Sequence, residues 1–176
     1  MHDIQEVKNR LKTMQGTGKS KFCWIIADDG KCDEISMLVL KHIVQSKSKA
    51  VYVDLRSGPL FLERMKRDGI DISNIYLIRQ SNINTKEISL VELSELITGE
   101  MNSGNIGILF LNQLSELILN ADKNRVKEVK QFMHYLVNKL HIYEIDGIVL
   151  SNPGKDVIGV INLAASLCDD SKIYYI

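Results

Sequence analysis

The stretch Phe22–Glu34, FCWIIADDGKCDE, limits the possible folds more than any other part of the chain. The apolar run Phe22–Ala27 is the pattern of a strand buried on both faces, as a parallel sheet covered by helices requires. Asp-Asp-Gly-Lys interrupts it. From Asp33 to Gln45, apolar residues recur at helical spacing (Ile35, Leu38, Val39, Ile43), with two acids in the first turn, where the helix dipole favours them. Strand, Gly-Lys turn and helix open an α/β unit, and the turn lies where phosphate-binding loops occur.

The rest of the chain repeats that alternation. Ala50–Leu55, Asn74–Arg79, Ile106–Leu111, Gly147–Ser151 and Lys172–Ile176 read as strands. Helical spacing falls between them at about 60–68, 86–98, 123–141 and 156–167, and again near the start at about 3–14, where Asp3 and Glu6 are placed as a capping box. Regular alternation with right-handed crossovers predicts an α/β fold, a three-layer sandwich with a mostly parallel central sheet. The 176 residues suit one domain, 1–176, with a short N-terminal helix.

Composition excludes several function classes. Lys+Arg and Asp+Glu balance at 22 each, so no global field draws nucleic acid or anionic lipid. The basic excess within residues 41–67 spans two helices and a strand and reads as a solvated face. No apolar run approaches the roughly 20 residues of a membrane span, and MHDIQEVKNR is no signal peptide. Cys23, Cys32 and Cys168 lack metal or redox spacing, which suits a reducing cytoplasm. His2, His42, His134 and His141 form no metal pattern with cysteines or acids. Neither a nucleophile elbow nor G-x-G-x-x-G is present.

Two segments compete for the phosphate-loop role. TMQGTGKS, residues 13–20, departs from G-x-x-x-x-G-K-[ST] only at Thr13, but a helix precedes it and a strand follows, the reverse of what an anion-cradling loop needs. It reads as a polar connector. Ile25–Cys32 has the right context and a poorer match. Gly30 and Lys31 fit, Ile25 replaces the first glycine, and Cys32 replaces the hydroxyl that would hold magnesium. Asp28 and Asp29 place carboxylates where phosphate oxygens would sit, a repulsion of several kcal/mol at about 4 Å and an effective dielectric near 20.

With these segments in order, the chain resembles the ATPase domain of the RecA/RadA/KaiC-like superfamily over nearly its whole length. The resemblance rests on strand–GK–helix, AVYVDLRSGP, RMKRDGIDISNIYLI, NIGILFLNQLSEL and VKQFMHYLVNKLHIYEIDGIVLSN. It implies Mg-ATP hydrolysis. The catalytic glutamates would fall at Arg56 or Ser57, the magnesium-associated aspartate and its following serine at Asn112 and Gln113, and a polar sensor at Ser151 or Asn152. The residues present depart from that chemistry at each carboxylate. Asn112 lacks the charge Mg²⁺ prefers, and neither arginine nor serine replaces a carboxylate base.

The expectation is therefore a catalytically degenerate RecA/KaiC-like domain, a non-enzymatic binding or regulatory module acting through self-association or pairing with an active relative. No metal and no cofactor are expected; ATP is the one candidate, at Asp29, Gly30, Lys31 and Cys32. One alternative is a divergent ATPase using the 25–32 loop, with Lys31 as phosphate clamp and Asp54 or Glu116 supplying a carboxylate. Another is a receiver-like signalling domain built on Asp28, Asp29, Asp54 and Lys155, which the single helix and strand between Asp29 and Asp54 argue against.

Overall fold

The computed structural model describes residues 2–15, 18–56, 61–79 and 88–176. Its strands are β1 Phe22–Ile26, β2 Lys49–Asp54, β3 Ile75–Arg79, β4 Ile106–Asn112, β5 Asp146–Ser151 and β6 Ser171–Tyr175. They form one six-stranded sheet of order β3-β2-β4-β5-β1-β6, every neighbouring pair parallel. The helices are α1 Ile4–Lys12, α2 Asp29–Ser46, α3 Phe61–Arg67, α4 Leu90–Ser103, α5 Lys123–Ile142 and α6 Lys155–Ser166. The fold is the α/β three-layer arrangement the alternation predicts, with the sheet wholly parallel.

Strand periodicity divides the core in two. Phe22, Trp24 and Ile26 of β1 face α4, α5 and α6 together with Leu109, Leu111 and Val149. Cys23 and Ile25 face α1, α2 and α3 together with Ala50, Tyr52, Phe110, Ile148 and Leu150. Burial on both faces is why β1, β4 and β5 read as continuous apolar runs. One close approach needs a glycine. A Cβ on Gly147 would lie 2.8 Å from the Phe22 ring and 3.1 Å from Leu140.

Two helices begin elsewhere than their apolar spacing predicts. Helix α2 starts at Asp29, four residues before Asp33, because Asp28 adopts the extended cap conformation (φ −64°, ψ 154°) and its carbonyl accepts from Lys31 and Cys32. Asp29, Gly30 and Lys31 are exposed, so this first turn leaves no hydrophobic signature. Helix α4 starts at Leu90, capped by Ser89, whose hydroxyl accepts from Glu92 N at 3.3 Å. The expected start near 86 lies outside the described residues. In α1, Asp3 accepts from Gln5 N at 3.2 Å and so caps the helix.

Candidate functional site

The strand C-terminal ends, where open parallel sheets place ligands, gather nearly every residue singled out from the sequence. Strand β1 ends at Ile26, Ala27 N donates to Ser151 O at 3.0 Å, and the helix begins two residues later. The connection is a tight turn. The Lys31 and Cys32 amides are bonded to Asp28 O at 2.9 and 3.1 Å, so they are turned into the helix. The Asp28 side chain makes no cap bond. Gly30 and Lys31 sit on the exposed first turn of α2, and Lys31 has no ion pair among the described residues.

Asp29 and Cys32 point the other way, toward β5. Asn152 donates through Nδ2 to Asp29 Oδ1. The Cys32 thiol, fully buried, lies 3.2 Å from Ala27 O and 3.4 Å from Asn152 Oδ1. Burial pushes this thiol above its ordinary pKa; the nearby Gln113 amide and Arg56 oppose the shift. Cys32 is thus a neutral thiol clasping the turn.

Behind it runs a buried polar chain. Asn112, wholly buried at the end of β4, donates through Nδ2 to Tyr52 OH at 3.0 Å, and its Oδ1 lies 3.3 Å from Ser36 Oγ. Ser36 also donates to Cys32 O at 2.8 Å. Gln113 takes the left-handed conformation (φ 67°), and its backbone N–H reaches Leu150 O at 2.7 Å. The Ser151 hydroxyl accepts from Ser115 N at 2.8 Å. Ser151 and Asn152 therefore have structural partners, and Asn112 is satisfied by neutral groups.

Two further carboxylates, Asp54 and Glu116, lie at this end of the sheet. Asp54 is buried at the end of β2 and accepts from Arg56 N at 3.2 Å; burial holds its pKa above the ordinary carboxylate value, against the pull of Arg56 and Arg79. Glu116 is likewise raised, chiefly by burial and further by Asp29, with Arg56 opposing. Both shifts disfavour the ionised form. No cluster of three metal-competent side chains occurs among the described residues. Arg56, one of the two positions where the resemblance would put a base, pairs with Asp33 at 2.7 Å and lies 5.3 Å from the Phe61 ring centroid. Ser57 lies outside the described residues.

The upstream GTGKS segment leads into the opposite end of β1. Its residues 16 and 17 lie outside the described residues, and Ser20 Oγ donates to Leu140 O at 2.9 Å. The receiver constellation does not assemble. Strands β4 and β5 stand between β1 and β2, so Asp54 lies three strand spacings, roughly 14 Å, from the acidic pair. His42 proves hydrogen-bonded, its Nε2 2.8 Å from Met14 O. Ser36 and Tyr52 were not legible as site residues. Ser36 stands four residues after Cys32 on the buried stripe of α2, where a small polar residue is the one available signal.

The strand order and this crevice define an α/β domain of KaiC-like fold. The solved structure of the KaiC-like protein PH0186 from the hyperthermophilic archaeon Pyrococcus horikoshii OT3 matches it with a TM-score of 0.60 at 9% identity, covering 89% of this chain and 72% of that one. At that identity the likeness is one of fold. No family model matches the chain, and no curated protein sequence does. No helix among the described residues is long and apolar enough to cross a membrane.

Proposed function

We propose that this chain is a RecA/KaiC-like domain that has kept the scaffold and lost Mg-ATP hydrolysis, and that it acts by binding protein, either a second copy or an active relative. One observation carries the reading: the turn from β1 into α2 is two residues long, with Asp29 tied to Asn152 and the Lys31 and Cys32 amides bonded to Asp28 O. A phosphate cradle needs consecutive amides converging on a wide loop, and here the same space is occupied by a carboxylate and a thiol. The hydrogen-bond partners of Asn112 support the reading, because a buried aspartate at that position would face the neutral hydroxyls of Tyr52 and Ser36.

The test is phosphate release from Mg-ATP by purified protein, alone and after mixing with an active relative. The expected release by the protein alone equals the protein-free blank, while light scattering detects self-association or a mixed complex. Turnover above the blank that disappears in Lys31→Ala would overturn the loss of hydrolysis.

A further inference from the structure

A second concavity lies beside the crevice, between the start of α2 and helix α3, and encloses about 650 Å³, within the size range of small-ligand sites. Met37 and Phe61 give it an apolar lining, and its charged residues come from two walls: Asp33 and Glu34 on α2, Glu63, Arg64 and Arg67 on α3. Internal pairing decides which charges are open to a ligand. Asp33 is held by Arg56 at 2.7 Å, and Glu63 lies 3.9 Å from Arg79. Arg64 and Arg67 have no ion pair among the described residues, and Glu34 is the one lining acid without a cation. Two open guanidiniums against one open carboxylate leave the groove attractive to an anion.

Arg56 adds an independent observation. Its Nη1 engages Asp33 and its Cζ lies over Phe61, both lining residues, so its positive charge stands behind the groove wall. A planar carboxylate is the acceptor whose geometry matches the forks that the exposed guanidiniums of Arg64 and Arg67 present.

We infer that the α2–α3 groove binds a small organic carboxylate with an apolar body, its carboxylate toward the arginines and its body against Phe61 and Met37. This site is separate from the β1–α2 turn, and it stands or falls independently of whether ATP is hydrolysed.

Phenylacetate is the probe, followed by calorimetry and by amide chemical-shift mapping on isotope-labelled protein. Saturable binding with a Kd on the order of 1 mM is expected for so small a ligand, with shifts confined to α2, α3 and the end of β2. The neutral isostere 2-phenylethanol should bind at least about tenfold more weakly, since it lacks the charge-assisted bidentate bond. The exposed pair change Arg64→Gln with Arg67→Gln should weaken phenylacetate about tenfold and leave the circular dichroism unchanged. Glu34→Gln should bind as tightly as the parent or tighter. Absence of saturable binding, shifts mapping elsewhere, unchanged affinity in the folded arginine double variant, or inorganic sulfate binding as tightly as phenylacetate would each overturn the inference.

Discussion

Asp54 shows how burial at a strand end sets the protonation of a single residue. It ends β2, where the resemblance places the approach to the catalytic glutamates, but it is buried and its carboxyl is held above the ordinary value. The folded protein therefore binds its proton more tightly than the unfolded chain does. The stability this confers is fully present below pH 3.8, the ordinary value, and is lost as pH rises through the raised pKa. Asp54→Asn keeps an acceptor for the Arg56 amide and removes the titration. Comparing urea midpoints of the two proteins across a pH series should show the variant gaining relative stability as pH rises from 3.8 toward neutrality. A difference that stays flat over that range would refute the assignment. Neither the burial nor the shift was legible in YVDLRSGP, because a strand-terminal aspartate reads the same whether its end is wet or covered.

At the scale of elements, packing of β5 against β1 and α5 rests on Gly147. An added methyl would meet the Phe22 ring at 2.8 Å, an aromatic that itself stacks on Trp24 and packs against His141. Gly147→Ala is expected to destabilise by about 1–3 kcal/mol, as overpacked cores do, read as a lowered urea midpoint. An unchanged or higher midpoint would mean that Phe22 moves aside freely. The buried strands were legible because two-sided burial writes a continuous apolar run, as IGILFL and FCWII do. The start of α2 was not. Asp29–Lys31 carry no apolar residue, and the bonds that make them helical are backbone bonds to Asp28 O. That shift matters for function, since it moves Gly30 and Lys31 from a loop onto a helix.

Over the whole molecule, alternation made the class of fold legible, but strand order came only with the structure. Local patterns do not say which strands pair, and the order β3-β2-β4-β5-β1-β6 is what separates Asp54 from Asp29 and brings Asn112 and Ser151 to one crevice. The candidate positions Asp29 and Cys32 were recognisable by their place after β1. Their ties to Asn152 and Ala27 required coordinates, as did the chain from Ser36 through Asn112 to Tyr52. The central proposal is that the two-residue turn from β1 into α2, with Asp29 tied to Asn152, leaves no place for a triphosphate. Calorimetric titration of the protein with Mg-ATP tests it most directly. No saturable heat is expected up to about 1 mM, a concentration that would register any interaction stronger than roughly 4 kcal/mol. Micromolar binding abolished by Lys31→Ala would contradict it.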